Sequence, residues 1–265
     1  MRHVVSGAKL FVFIASTLPM MAVQWSILKL RPQAAGWLPP RAHRIYCRLL
    51  GIEVQKFGEI AAERPVLFVA NHASWIDILA LSTLAPVSFI AKSDVANWPL
   101  FGQLARLQRT IFVERRAARS ADARDDMHAR LRDGDSLVLF PEGTSSDGNR
   151  VLTFKSAFLA VAEIEINGRP VTVQPVTIAY TRLHGMPVGR RFRHYYAWYG
   201  DMDMFPHLWR ALSLGRSVVE IEFHTPLTIE AFDNRKQLAA VCQQVVAEGL
   251  SHALTGRRDG ARRMA

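Results

Sequence analysis

The chain is poor in cysteine: Cys47 and Cys242 are the only two in 265 residues, and they lie far apart. That excludes a disulfide framework and leads us to expect buried free thiols in a reducing compartment. Acidic residues are also in deficit, 23 against 33 Lys and Arg, for a formal charge of +10. Such a balance implies an anionic partner: nucleic acid, phospholipid head groups or a phosphorylated substrate. Zinc-finger spacing, an RNP-like aromatic motif and a homeodomain-like helix are absent, which excludes the common nucleic-acid binders and leaves membrane lipid in front. Internal repeats and low-complexity stretches are missing too. An even mixture of apolar and polar residues over this length suits one large α/β domain with an appendage.

The appendage is the uncharged run at residues 10–28, bounded by Lys9, Lys29 and Arg31. At about 1.5 Å per residue it is roughly 28 Å long, close to a hydrocarbon core of about 30 Å. Pro19 would kink it, and Ser16, Thr17, Gln24 and Ser26 dilute it, so spanning and lying along the surface are both open. Basic residues are denser after the run (Lys29, Arg31, Arg41, Arg44, Arg48) than before it (Arg2, Lys9). The positive-inside rule then puts the body on the cytoplasmic side of an inner membrane. Residues 32–40 read as a Pro/Gly turn and 41–50 as a basic amphipathic helix. The expected division is a membrane anchor at 1–35 and a catalytic domain at 36–265.

From Val54 onward, strand-like and helix-like patterns alternate. Residues 66–70, 87–91, 110–114, 136–140, 171–180, 194–200 and 218–224 read as strands. Residues 75–84, 121–132 and 232–254 read as helices. Alternation of this kind predicts an α/β fold with a mainly parallel central sheet flanked by helices.

Two strands end in polar turns. After the apolar run 66–70 come Asn71 and His72, and Asp77 follows in the first turn of the next helix. On one continuous helix, positions five apart diverge by about 140°. With His72 in the turn, the two can meet, and the aspartate can fix the imidazole tautomer and free its other nitrogen as a base. The competing reading is a capping box, Ser74-x-x-Asp77, in which Asp77 bonds only backbone. The second turn, Phe140-Pro141-Glu142-Gly143-Thr144-Ser145-Ser146, emerges at a strand's carboxyl end, where open α/β sheets bind ligands. Gly143 admits a close ligand and Thr144 offers a hydroxyl; the alternative is a Pro-Gly turn capping a helix at 154–163. Arg115, with Arg116 and Arg119 after it, and Lys92 end two further strands and are candidates for a shared anionic pocket.

Taken together, these residues resemble the glycerolipid acyltransferase family. Its N-H-x-x-x-x-D block is matched by Asn71, His72 and Asp77, its strand ending in arginine by Arg115, its F-P-E-G-T-S block by 140–145, and its V-x-P-V strand by 173–176. The resemblance implies acyl transfer from acyl-CoA or acyl carrier protein as cosubstrate, with no cofactor. It further implies His72 as general base, Asp77 as its orienting partner, and Arg115, Glu142, Gly143 and Thr144 as the acceptor-phosphate site. Arg109 stands where many members have glycine, a change expected to alter the pocket wall near Arg115. A thioester is already activated, which agrees with the lack of a G-x-S-x-G elbow or a motif cysteine, and H-x-x-x-x-D is not a zinc spacing, so no metal is expected. The first expectation is acylation of the sn-2 hydroxyl of 1-acylglycerol 3-phosphate, giving phosphatidic acid. An alternative is another lysolipid such as lyso-ornithine lipid, whose zwitterionic head group needs less positive charge and a partner for its amine. A second alternative, a non-catalytic peripheral lipid-binding protein, would need neither His72 nor Asp77.

Overall fold

The computed structural model describes residues 2–113 and 121–257. Helices α1 (Arg2–Leu30) and α2 (Leu38–Leu50) precede strand β1 (Ile52–Phe57), and β2 (Val66–Ala70) leads into α3 (Ile76–Ser82). Then come β3 (Val87–Lys92), α4 (Phe101–Leu107), β4 (Ile111–Val113), α5 (Ala121–Arg132) and β5 (Ser136–Leu139). A small hairpin, β6 (Glu165–Ile166) and β7 (Arg169–Pro170), is followed by the long β8 (Thr172–Leu183) and its short partner β9 (Met186–Pro187). The chain closes with α6 (Met204–Ser213), β10 (Ser217–Phe223) and α7 (Arg235–Thr255).

The main sheet has the order β1-β10-β8-β2-β5-β3-β4, with β9 on β8. Every pairing on the main path is parallel except β10 with β8. The sheet is therefore mainly parallel, as expected, and the reason is visible in β2. Val66, Phe68 and Ala70 face one apolar cluster, while Leu67 and Val69 face the other. A strand covered on both faces can be apolar at every position. Helices α2, α3 and α6 contribute to the first cluster; α5 and α7 contribute to the second. Cys47 and Cys242 are buried, unpaired members of these two clusters.

Three local expectations change. Pro39 and Pro40 do not close a linker; they lie in the first turn of α2, where a missing N–H costs nothing. Only residues 158–163 of the expected helix at 154–163 are helical, as a 3-10 turn. The aromatic stretch 194–200 is no strand: a 3-10 turn at Arg190–Tyr195 runs into irregular chain. Its rings pack on the sheet instead, Tyr196 stacking on Tyr180 at 5.1 Å and bonding Ser217 Oγ at 3.0 Å.

Helix α1 is long and apolar enough to cross a membrane, by length and composition. It is also docked on the body. Lys9 donates to the Leu212 carbonyl, Thr17 bonds the Tyr46 hydroxyl at 2.9 Å, and Gln24 donates to the carbonyls of Ala35 and Leu107.

Candidate active site

Strands β2 and β5 are parallel neighbours, so the turns after Ala70 and Leu139 emerge at one edge. Pairing of β2 with β8 ends at Ala70 and Val176, and the Asn71 side chain supplies the next rung. Its amide donates to the Ile178 carbonyl at 2.9 Å and accepts from the Ile178 N–H at 2.8 Å. The main chain is thereby free to turn at His72 while still tied to the sheet.

His72 Nδ1 lies 2.9 Å from Asp77 Oδ2. With the carboxylate accepting, Nδ1 carries the proton and Nε2 is left as the basic nitrogen. The same Oδ2 accepts the Ala73 N–H at 2.7 Å and the Ser74 N–H at 2.9 Å. Capping and ring orientation, opposed readings in the sequence, are thus served by one fully buried carboxylate. Its other oxygen accepts the Tyr180 hydroxyl at 2.6 Å, a partner that no sequence motif marks, 103 residues away. Burial, with the Asp77 charge beside it, raises the Tyr180 phenol well above its ordinary pKa. It therefore stays a donor.

The second turn grips the first. Glu142 Oε1 accepts the His72 N–H at 2.9 Å, and the Ser146 N–H donates to the His72 carbonyl at 2.8 Å. Glu142 Oε2 accepts the Leu152 N–H at 3.1 Å. Both carboxylate oxygens face main chain, so Glu142, expected in the acceptor-phosphate site, holds the turn that carries His72. Burial pushes its carboxyl up to about 7, against the pull of the two N–H bonds.

Gly143 has φ +67°, and a Cβ there would stand 3.0 Å from the Phe158 ring and 3.1 Å from Lys155 Nζ. Glycine is needed both for the backbone and for that approach. Lys155 is a cation the sequence reading missed, because it sat inside the expected helix. Thr144 is exposed at the tip of the turn, and Ser145 Oγ donates to the Trp198 carbonyl.

Lys92 is exposed and pairs with Asp94, a carboxylate two residues on. It is neutralised locally rather than offered to a shared pocket, and two strand positions separate β3 from β2. Arg115, Arg116 and Arg119 lie outside the described residues. Arg109 adopts φ +61°, the left-handed region in which glycine is at ease. Its guanidinium bonds Asp135 at 2.9 Å and its carbonyl accepts from Arg130, so it turns to that ion pair and is absent from the apolar cavity wall that its neighbours Gln108 and Thr110 help to build.

That cavity, of about 190 Å³, lies among α1, α2, α3 and α4, with Phe13, Met20, Tyr46, Trp75, Phe89 and Phe101 in its lining. A ladder of rings connects it to His72. His72 stacks on Phe140 at 4.1 Å, and Phe140 on Phe89 at 6.1 Å. The site thus combines an oriented imidazole, an exposed polar edge and an adjoining apolar chamber.

A family model described as acyltransferase matches residues 51–179. A lyso-ornithine lipid O-acyltransferase of Rhizobium meliloti (strain 1021) is 44% identical over 92% of this chain and 85% of its own length. The chain belongs to the glycerolipid acyltransferase family. Membership makes it an acyltransferase of lysolipids and sets aside the non-catalytic lipid binder. A second lyso-ornithine lipid O-acyltransferase, from Brucella abortus (strain 2308), is 45% identical over 92% of this chain and 93% of its own length. A 1-acyl-sn-glycerol-3-phosphate acyltransferase of Neisseria gonorrhoeae is 32% identical over 66% of the chain and 64% of its own length. In fold, this acyltransferase is similar to the crystal structure of the 1-acyl-sn-glycerophosphate acyltransferase PlsC from Thermotoga maritima, with a TM-score of 0.69, 20% identity, and coverage of 95% of this chain and 97% of that one.

Proposed function

We propose that this acyltransferase moves a fatty acyl group from acyl-CoA or acyl carrier protein to the hydroxyl of a lyso-ornithine lipid. One observation carries the choice of acceptor. The relatives named for that acceptor match over 92% of the chain at 44% and 45% identity, whereas the Neisseria relative named for 1-acylglycerol 3-phosphate matches over 66% at 32%. The acceptor first expected, 1-acylglycerol 3-phosphate, gives way to the alternative.

In the mechanism that fits the geometry, His72 Nε2 takes the acceptor hydroxyl proton as the oxygen attacks the thioester carbonyl. The imidazolium is stabilised by Asp77, which Tyr180 holds in place. Collapse of the tetrahedral adduct expels the thiolate, His72 returns the proton to it, and ester and thiol leave. The apolar cavity houses an acyl chain, reached along the His72–Phe140–Phe89 stack.

Helix α1 supports a membrane seat. Its inward-facing buried residues include Ser6, Thr17 and Gln24, while Val4, Phe11, Leu18 and Trp25 are exposed. An apolar outer face on a helix whose polar groups turn inward suits lipid. Contacts with the body run from Lys9 to Gln24, roughly 22 Å of helix, so α1 lies in the interface with one side in lipid and the other on the protein. The denser basic residues beyond it, Lys29, Arg31, Arg41, Arg44 and Arg48, suit the anionic head groups of a cytoplasmic leaflet, which supports a catalytic body on that side.

Purified full-length protein with a radiolabelled acyl donor, offered lyso-ornithine lipid and lysophosphatidic acid, tests the reading. Preferred labelling of lyso-ornithine lipid is expected. Labelling confined to lysophosphatidic acid would restore the first expectation.

A further inference from the structure

Beside the catalytic turn lies a set of charges that the mechanism does not use. The Ser146 N–H bonds the His72 carbonyl, so residue 147 begins one peptide from that contact. Gly148, at φ +74°, comes so near that a Cβ on it would stand 3.7 Å from the Ala73 Cβ and 3.9 Å from the Arg193 Cβ. On the other side, the Trp198 N–H donates to the Ala73 carbonyl at 2.8 Å. The turn at 147–150 and the segment at 189–198 therefore flank His72 and Ala73 together.

The framework under these charges is a relay of hydrogen bonds that runs from a buried guanidinium through an amide to a carboxylate. Arg193, 8% exposed, donates to Asn149 Oδ1 and to the Val188 carbonyl. Asn149 in turn donates its main-chain N–H to Asp147 Oδ1 at 3.0 Å and its amide to Oδ2 at 3.1 Å. Each Asp147 oxygen keeps acceptor capacity beyond that one bond. Among the described residues no cation is in contact with Asp147, although the exposed Arg150 and Arg190 and the buried Arg193 stand within electrostatic reach; Arg193 is already committed to Asn149 and Val188, which leaves the two exposed arginines for a ligand. Burial would raise the Asp147 carboxyl, but the Asn149 bonds and the two arginine charges bring it below its ordinary value. It is an anion with an open side.

The arginines at this rim would attract a phosphate dianion, but Asp147 among them would repel it. Together these groups suit a ligand carrying both signs. The apolar chamber is reached through Phe140 and Phe89, so a lipid whose hydroxyl meets His72 can keep its chain there and its head group at the charged turn. We propose that Asp147, Arg150 and Arg190 form the head-group subsite of the acceptor, Asp147 taking an ammonium and the two arginines a carboxylate. The assignment rests on the acceptor being an amino-acid lipid, and it names the residues that select it.

The test pairs changes in the protein with changes in the acceptor. The specificity constant is measured for lyso-ornithine lipid, for its analogue with the side-chain amine acetylated, and for its carboxyl methyl ester. Wild-type protein should lose about 10- to 100-fold on each analogue, the scale of a hydrogen bond to a charged group. Asp147→Asn should lose as much on the parent lipid and nothing further on the acetylated one. Arg190→Gln, at an exposed position that the fold does not need, should behave in the same way toward the ester. Wild-type protein that treats all three acceptors alike would overturn the assignment without any variant having to fold. So would Asp147→Asn that still discriminates against the acetylated lipid. An Arg190→Gln loss shared equally by every acceptor and by binding to anionic vesicles would also overturn it, since the charge would then serve the membrane surface. Wild-type protein inactive on lyso-ornithine lipid but active on lysophosphatidic acid would remove the acceptor reading, and this subsite with it.

Discussion

At the site, Asp77 gathers four donors: His72, Ala73 and Ser74 on one oxygen and Tyr180 on the other. Each contact has a distinct consequence when removed. His72→Ala should cut turnover by about 10²- to 10⁴-fold with the fold intact, because the acceptor proton loses its base; comparable activity in folded variant and wild type would reject the mechanism. In Asp77→Asn the amide oxygen can face the three N–H donors and its NH₂ can donate to the Tyr180 oxygen. The turn should survive, as judged by an unchanged Tm, while turnover falls because a neutral amide does not stabilise imidazolium. Tyr180→Phe removes a bond to a charged group and should cost about 1.5–3 kcal/mol between stability and activity. A urea titration and kcat measured on the same preparation would divide that cost. The His72–Asp77 pair was legible because both lie within one strand–turn–helix. Tyr180 was not, because it lies on β8, 103 residues further along the chain.

Helix α1 illustrates how a sum over a segment hides its faces. Thr17 and Gln24 lower its mean hydropathy, yet both point into the protein, leaving Phe11, Leu18 and Trp25 on one outer stripe at seven-residue intervals. Replacing Phe11 and Leu18 by serine should weaken binding to lipid vesicles by about 100-fold or more, at roughly 1.5 kcal/mol or more for each large apolar side chain. Unchanged vesicle sedimentation would show that the stripe does not meet lipid. The inner face has a separate role, since Phe13, Met20 and Met21 help to wall the cavity. Removal of residues 1–31 should therefore abolish transfer even to short, soluble acceptors. Full activity of the truncated protein on them would mean that α1 only anchors.

Across the whole molecule, three histidines set the response to acid. Burial lowers His43, His207 and His224 to about 4 from an ordinary value near 6.5. In that window the unfolded chain binds more protons than the folded one, so their contribution is complete above about pH 6.5 and is lost as pH falls through 4. Glu142, raised to about 7, works the other way: its contribution is present below about 4.5 and is lost as pH rises through 7. Three groups against one give a net loss of stability on acidification between about pH 6.5 and 4.5, which urea midpoints across that range would measure. His43→Leu should remove up to about 3 kcal/mol of the loss by pH 4. An unchanged slope would mean that His43 is already protonated in the fold.

The sequence by itself determined the parallel sheet and the two polar turns. Strands such as β2, covered on both faces, must be continuously apolar, and a polar turn after such a run falls at the edge where parallel strands end. The pairing of His72 with Asp77 followed from six residues of local chain. Only the tertiary structure decided what surrounds them. The resemblance groups Glu142 with the acceptor-phosphate residues, and only the fold shows both its oxygens on main chain, one of them bonding His72; Lys92 reads as a free cation until Asp94 is beside it. The stretch 194–200 is aromatic enough to read as a strand, yet its rings lie on the sheet and its chain closes over Ala73. Spacing along a chain records which side chains can share a face over a few residues. Which distant segments meet is set by packing across the sheet, and that is where Tyr180, the cavity under α1 and the charged turn at Asp147 were assembled.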